Sequence, residues 1–550
     1  MAGGYGKRVA GTRVVEREIK LDAALDFTMP DLTGIAPRTT SAEPRQLRTA
    51  YFDTPDMRLW ERGVTLRHRE GEPAPGGEGS GTWTIKVPVT AGLPALERTE
   101  LSWPGGRDRI PDEVTSLVRG VVRRAPLTQL TELVTTRRST VLSKADGSVL
   151  AEIDDDDVTV TGGPRDGYQF RQIELELTVR GNGIRKRVIR RLERAGGHVD
   201  NDAKVAKALG LSRDTRAMSG WITSPNARMV TPSRRSKSSE RRTKRSLGQL
   251  VQEQLDHAVD RILLYDYRFR LDLPRFDPED VHQARVVTRR LRADLKTFRP
   301  VLDPVWYRHT QADLKWFGAI LGAARDLDVL AARLDASTDQ VPRRDPGRDE
   351  LMARRSMQMA ASERGLVDAL VGSDRYLDLL DRLHAAARLP PLHPTPERRF
   401  RPDARAADAL VDLVGRQSQK VRTRVRQSGA DPTDAQMHRI RIGAKQVRYA
   451  AEMASAVDGT WATRAMHTAK AAKKLQVVLG EHHDAVVIEQ WLGDQVADLT
   501  PVASFTAGRL AAEQQDRQRV LRAQWWRHWR RFERSSSHMD TKKLRHRKAP

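Results

Sequence analysis

The sequence predicts two unlike domains in series, a β-rich domain followed by an all-helical one. Three observations carry this. Residues 14 to about 210 hold many short runs rich in β-branched and aromatic residues, separated by glycine turns. Residues 247 to about 532 instead read as long Ala, Leu and Arg stretches with apolar positions three and four apart. Between them apolar periodicity is lost, and Ser233–Ser246 carries seven basic residues against one acidic. The predicted boundaries are 12–213 for the first domain, 214–246 for a basic flexible linker, 247–533 for the second domain and 534–550 for a basic tail. Residues 1–11, rich in glycine, form a further tail.

The bulk composition narrows the function. Lys and Arg number 96 against 72 Asp and Glu, a formal net charge of +24, which favours a polyanionic partner such as nucleic acid, an anionic membrane or a phosphate polymer. Cysteine is absent, so a disulfide framework and thiolate chemistry are excluded. The N-terminus lacks the apolar core of a secretion signal, and no run approaches the roughly 20 apolar residues that span a bilayer. A cytoplasmic protein without a membrane partner is expected.

In the first domain, Val14 and Val15 lead into Glu16-Arg17-Glu18-Ile19-Lys20. A strand has a side-chain period of two, so Glu16, Glu18 and Lys20 share one face. Further strands are predicted at Arg48–Phe52, Gly63–Arg69, Thr82–Val87, Glu97–Trp103, Arg137–Ser143, Val149–Ile153 and Gln169–Val179. The glycines of 76–81 lack the Gly-Lys-Ser/Thr ending of a phosphate cradle and lead into a strand, so they predict a hairpin loop. Charge alternates in strand after strand: Arg67 and Arg69; Thr84 and Lys86; Arg138 in Thr136-Arg137-Arg138-Ser139; Glu152, Asp154 and Asp156; Glu174 and Glu176. One such strand alone reads as a solvated face. Five or more, of both signs, are accounted for together by a barrel with a polar lumen and an apolar outside jacketed by helices.

Glu16-x-Glu18-x-Lys20, Leu66-Arg67-x-Arg69, the Lys86 strand, the acidic run near Asp156, Glu174-x-Glu176 and Lys204 resemble the CYTH domain, the triphosphate tunnel metalloenzyme fold. The resemblance implies an antiparallel tunnel of about eight strands with flanking helices. It implies Glu16, Glu18, Asp156, Glu174 and Glu176 as ligands of Mg²⁺ or Mn²⁺, and Lys20, Arg67, Arg69, Lys86, Arg138 and Lys204 as phosphate-binding. Alternation from Glu152 favours Asp154 or Asp156, and the family pattern favours Asp156. The chemistry is intelligible: carboxylates offer hard oxygen ligands, and Arg and Lys neutralise the charge that phosphoryl transfer spreads over oxygen. A second metal site, or a carboxylate such as Glu18 or Glu176, is expected to orient the attacking water.

The helical domain repeats itself. His282, Arg285, Arg289 and Arg292 share one helix face, with Ala284, Val287, Leu291 and Leu295 behind them. The same offsets return at His438, Arg441, Lys445 and Arg448, backed by Ile440, Val447 and Ala451. Leu321-Gly322-x-x-Arg325-Asp326 is echoed by Leu479-Gly480-x-x-His483-Asp484, and Lys315 and Lys473 each stand seven residues before the glycine. An internal duplication follows. A single basic stripe reads as a solvated face, whereas two copies with the histidine retained read as an anion-binding surface. Asp326 and Asp484 orient a basic residue or cap a helix. The Glu481-His482-His483-Asp484 run is a weaker metal candidate, because adjacent histidines on a helix point different ways.

This half resembles the CHAD domain. The resemblance implies two helical bundles related by pseudo-two-fold symmetry, a basic groove, binding to inorganic polyphosphate and association with polyphosphate granules. Counterion release supports a linear polyanion as ligand. No aromatic residues fall in an RNA-binding pattern, so nucleic acid is the weaker partner. The expected activity is hydrolysis of inorganic triphosphate or short polyphosphate. The alternative is a non-catalytic polyphosphate receptor, with class IV adenylyl cyclase or thiamine triphosphatase chemistry behind it.

Overall fold

The computed structural model describes residues 12–72, 81–88, 97–200, 202–211, 245–273, 275–336, 345–395, 397–457 and 461–539. The predicted tail at 1–11, residues 540–550 of the predicted 534–550 tail, the loop at 73–80 and the linker through 244 lie outside the described residues. The chain divides into two compact units, 1–227 with 266–273, and 228–265 with 274–550. No described helix is long and apolar enough to cross a membrane.

The first unit holds β1 (Thr12–Ala23), β2 (Arg38–Ser41), β3 (Arg45–Asp53), α1 (Arg58–Glu61), β4 (Thr65–Glu70), β5 (Thr82–Pro88), β6 (Glu97–Pro104) and α2 (Asp112–Val122). It continues with β7 (Thr128–Ser143), β8 (Val149–Thr161), β9 (Gln169–Leu177), α3 (Arg185–Arg194), β10 (His198–Val199) and α4 (Lys204–Leu209). All strands join one antiparallel sheet of ten, in the order β10-β1-β6-β5-β4-β3-β7-β8-β9, with β2 on β7. This exceeds the eight strands expected, because two short strands add to β1 and β7. The first half of β1 pairs with β6, and its second half, from Glu18 to Ala23, pairs with β9. β4 and β5 pair as a hairpin across the glycine-rich loop. β7 begins at Thr128, well before the predicted Arg137, because its first half alternates threonine with Leu and Val rather than showing an apolar run.

Alternation decides which face is dry. Ile19, Leu21, Ile153, Ile173 and Leu175 project to one side and pack with Val188 and Leu192 of α3, Phe27, Leu32 and Ile35. Burying each such side chain stabilises by roughly 1.5–3 kcal/mol, so slipping a strand by one residue is costly. The charged residues at even positions of β1, β8 and β9 are thereby forced onto the opposite face.

The second unit is helical: α5 (Leu247–Asp272) as far as Tyr265, α6 (Pro278–Phe298), α7 (Pro304–Ala336), α8 (Pro346–Val371), α9 (Asp374–Arg388), α10 (Ala406–Ser428), α11 (Asp434–Ala456), α12 (Ala462–Gln495) and α13 (Pro501–Ser537). Asp277 caps α6 through the Glu279 amide, and Thr433 caps α11 in a reciprocal box with Gln436. α6 packs on α7 as α11 packs on α12, and α6 and α11 pack on each other. The predicted apolar backs are buried: Leu291 is 2% and Leu295 1% exposed, and Ile440 and Val447 are fully covered. α13 runs past the predicted end at 533, because Ser536 and Met539 are fully buried and the Ser535 carbonyl accepts from Thr468. Asp326 and Asp484 lie within α7 and α12, so neither caps a helix.

Candidate functional site

Directly opposed residues on neighbouring strands share a face, with Cβ atoms about 4.5–5.5 Å apart. The register therefore assembles the charged face row by row. Glu18 opposes Glu176, which opposes Glu152. Lys20 opposes Glu174, then Asp154, then Ser139. Asp22 opposes Gln172, then Asp156, then Arg137. On the other strands Thr49 opposes Arg69, Tyr51 opposes Arg67, Arg67 opposes Thr84, and Lys86 opposes Glu100.

The side chains pair across these rows. Arg137 donates from Nε and Nη2 to Asp156 at 2.8 and 2.7 Å, and from Nη2 to Glu174 at 3.0 Å. Its Nη1 lies 2.5 Å from Asp154. Lys204, at the start of α4, lies 2.5 Å from Asp156 and 2.7 Å from Glu174. Lys20 bridges Glu18 at 2.9 Å and Glu174 at 3.2 Å. Lys86 lies 3.1 Å from Glu100 and 4.0 Å from Glu18. Arg69 donates to Thr49 at 2.9 Å and to Glu72 at 2.7 Å.

Burial pushes the Glu174 carboxyl up, but Lys204, Lys20 and Arg137 outweigh it and hold the group well below the usual range. Asp156 is likewise held low against burial by Lys204 and Arg137. Asp154 is pushed up by burial, which Arg137 and Ser139 only partly offset. Glu72 falls to about 2, where Arg69, Arg67 and Arg137 overcome burial. Burial raises the Tyr51 phenol, yet Arg67, Arg69, Lys204 and Lys20 bring it below its ordinary value.

The structure gathers Glu18, Lys20, Arg67, Arg69, Lys86, Asp156, Glu174, Glu176 and Lys204 on one face. It does not gather Arg138, which is exposed on the opposite side. Its neighbour Arg137 takes the inner position, because the register sets Arg137 opposite Asp156. Asp154 and Asp156 are both inward, whereas Asp155 points outward to Arg171 at 2.7 Å. Sequence reasoning missed Arg137, Tyr51 and Glu72, and left Glu152 out of the ligand set although its parity was visible. The Glu16 backbone pairs with Arg98, and its side chain lies outside the described residues.

A divalent cation fits the donor set. Glu18, Glu176 and Glu152 form a cross-strand row of three like charges, an arrangement destabilising by itself and suited to hard-cation ligation. Among the described residues, no three carboxylates or histidines converge on one point. The Glu481–Asp484 run likewise forms no such cluster; His483 instead packs on His438 with the rings tilted at 49° and their centroids 4.1 Å apart.

In the second unit the two predicted stripes meet. His282, Arg285, Arg289, Arg292, His438, Arg441, Lys445 and Arg448 are all half-buried. Lys445 faces Arg289 and Arg285 from α6 and Arg441 and Arg448 on its own helix; burial, reinforced by these cations, lowers its pKa to about 6. His483 drops to about 4 through burial, Arg441, His438, His482 and Lys445. The duplicated glycines have one role. A Cβ at Gly322 would stand 3.7 Å from the Arg285 guanidinium, and one at Gly480 would stand 3.6 Å from that of Arg441. At each glycine a stripe arginine lies against the neighbouring helix with room for a methyl but not for a larger side chain. Lys315 and Lys473 stand apart, exposed on α7 and α12. The side chains of Arg325 and Asp326 lie outside the described residues.

Comparison with known proteins bears on both units. Residues 14–192 match the CYTH domain model, and residues 253–493 match the CHAD domain model. The chain belongs to the CYTH–CHAD family. Two Mycobacterium tuberculosis relatives, uncharacterized proteins MT2285 and Rv2226, are each 30% identical over 536 residues, covering 92% of this chain and 93% of the relative. PptA from Streptomyces chartreusis shares 21% identity, covering 52% of this chain and all of that one, with a TM-score of 0.41. A putative adenylyl cyclase from Hippeastrum, described as having a dominant triphosphatase activity, shares 15% identity over 35% of this chain and 94% of that one, with a TM-score of 0.23. The assignment rests on the domain models and the full-length relatives. The CYTH domain makes the first unit a member of the triphosphate tunnel enzymes, which act on phosphoanhydrides and depend on a metal, usually Mg²⁺ or Mn²⁺.

Proposed function

We propose that the CYTH domain hydrolyses inorganic triphosphate or short polyphosphate with a divalent cation, and that the CHAD domain holds inorganic polyphosphate. The observation that carries the first part is the register, which collects clamps and carboxylates of separate strands on one face. Eight strands follow one another in pairing from β1 through β6, β5, β4, β3, β7, β8 and β9 back to β1, which supports a tunnel. Arg67, Arg69, Lys86 and Lys20 bind the phosphate chain. Arg137 and Lys204 hold the far end, released in part from Asp156 and Glu174 as phosphate oxygens replace the carboxylates. Glu18 and Glu176, with Glu16 one row on and Glu152 added by the register, would hold Mg²⁺ or Mn²⁺; Asp156 and Glu174, the other two expected ligands, are engaged by Arg137 and Lys204 and are given up as ligands here. Bound there, the ion supplies charge neutralisation at the phosphoryl oxygens. Glu18 or Glu176 accepts the proton of the attacking water, and the leaving phosphate oxygen departs towards the arginines.

For the CHAD domain the supporting observation is the convergence of both stripes on Lys445. A polyphosphate chain there relieves cation–cation repulsion, which fits a cytoplasmic protein at polyphosphate granules. A second reading, a receptor without turnover, is favoured by Asp156 and Glu174 being already engaged by Arg137 and Lys204. Phosphate release from tripolyphosphate, ATP, thiamine triphosphate and long polyphosphate separates the two. Metal-dependent release from tripolyphosphate, lost in Glu18→Ala, supports the enzyme. Tight, salt-sensitive polyphosphate binding with no turnover on any substrate overturns it in favour of the receptor.

A further inference from the structure

The last turns of α13 carry two clefts that neither the CYTH face nor the CHAD stripes use. One, of about 510 Å³, is lined by Trp526, Trp529, Arg530 and Glu533, by Val425 and Arg426 near the end of α10, and by Gly429 and Ala430 just beyond it. The other, of about 590 Å³, is lined by Arg527, Arg531, Arg534, Ser535 and His538. At 100° per residue, Arg530 and Arg534 form the ridge between them. The aromatic cleft exists because α10 stops at Ser428 and Gly429, with φ +69°, turns the chain aside in the left-handed region that glycine favours. Trp529 is 3% exposed and forms a wall. Trp526 is half-buried, tilted at 34° against Trp525 with 4.2 Å between ring centroids. Arg527, Arg530, Arg531 and Arg534 are exposed, and no side-chain ion pair is found for them among the described residues.

A half-exposed indole beside a small-residue floor, with guanidinium groups one turn away, suits a planar ring joined to phosphate. We propose that this end of α13 binds a nucleoside phosphate, its base on Trp526 and its phosphates on Arg530, Arg534 and Arg527. Glu533 is placed to accept from an exocyclic amino group. A bare phosphate chain would use the arginine ridge and leave the tryptophan cleft idle. This runs against the expectation that nucleic acid is the weaker partner: Trp525-Trp526-Arg527-His528-Trp529-Arg530-Arg531-Phe532 interleaves aromatic and basic residues along the chain, a run sequence reasoning missed, and packing adds only the Val425, Gly429 and Ala430 floor. The inference stands independently of the hydrolysis and polyphosphate readings.

The test measures binding of a ten-residue oligoadenylate, AMP and long polyphosphate to the full-length chain at fixed salt. The variants are Trp526→Ala, Trp526→Phe and Arg530→Ala. Loss of one base stack weakens binding by roughly tenfold or more. Expected is such a loss of oligoadenylate affinity in Trp526→Ala, substantial recovery in Trp526→Phe, and unchanged polyphosphate affinity. AMP weakened in parallel identifies a free nucleotide as a sufficient ligand; an effect on the strand alone identifies a strand. Wild-type affinity for both adenylates in Trp526→Ala and Arg530→Ala overturns the proposal. So does an equal loss of polyphosphate binding in Trp526→Ala. If Trp526→Ala does not fold, Trp526→Leu, which keeps apolar bulk but has no aromatic face, carries the same comparison.

Discussion

Replacing Arg137 with alanine should destabilise the CYTH domain far more than replacing its neighbour Arg138. Arg137 meets three carboxylates, Asp154 at 2.5 Å, Asp156 at 2.7 Å and Glu174 at 3.0 Å, with a side chain only 13% exposed. Removing one partner from a buried ionic network costs about 3–5 kcal/mol, because the charges left behind remain desolvated. Lys204 still lies 2.5 Å from Asp156 and 2.7 Å from Glu174, which points to the lower end, about 3 kcal/mol. For a unit of this size that lowers the melting temperature by roughly 6–12 °C, against about 1–2 °C for the exposed Arg138. The pH dependence has a definite sign. Asp156 and Glu174 titrate below their ordinary values in the fold, so their contribution is present above about pH 4 and lost as pH falls through the folded values. Arg137→Ala raises those values, so its deficit is largest near neutrality and shrinks in acid. Calorimetric melts of both variants at pH 7 and pH 4 check this. Equal melting of Arg137→Ala and Arg138→Ala would refute the assignment of Arg137 to the inner face.

Three further outcomes follow from the same geometry. Arg69→Ala should raise the KM for tripolyphosphate with a smaller effect on kcat, while Glu18→Ala should abolish metal-dependent turnover, both read by steady-state phosphate release. Lys445 titrates at about 6 in the free fold against 10.5 ordinarily, so it stabilises least below pH 6 and its cost is relieved as pH rises towards 10.5. Polyphosphate binding at pH 8 should therefore take up close to one proton, measured by titration calorimetry in buffers of different ionisation enthalpy. Lys445→Met should abolish that uptake and weaken binding. Gly480→Ala should be tolerated and stabilise by about 0.5–1 kcal/mol, since its Cβ would meet Arg441 at an ordinary 3.6 Å. Gly480→Leu should displace Arg441 and lower polyphosphate affinity without a matching loss of helicity by circular dichroism.

Short-range periodicity was enough to separate a strand-rich half from a helical half, and to find Glu18, Lys20, Arg69, Glu174 and the duplicated His-Arg stripes. Period two and period 3.6 are local properties, so the chain states them directly. The choice between Arg137 and Arg138 is different in kind. Both flank the same bond in a strand, and either parity is compatible with Thr136-Arg137-Arg138-Ser139; only pairing to Asp156 on β8 selects one. Tyr51 was hidden for a related reason: its four cationic neighbours come from β1, β4 and α4. The stripes were legible as stripes, but that Lys445 would be driven to about 6 depended on α6 laying Arg285 and Arg289 beside it. Residue types and local alternation were thus determined by the sequence itself. Register, the partner of each charge and the resulting pKa values were decided by tertiary structure, because electrostatic energy depends on distances that only strand pairing and helix packing set.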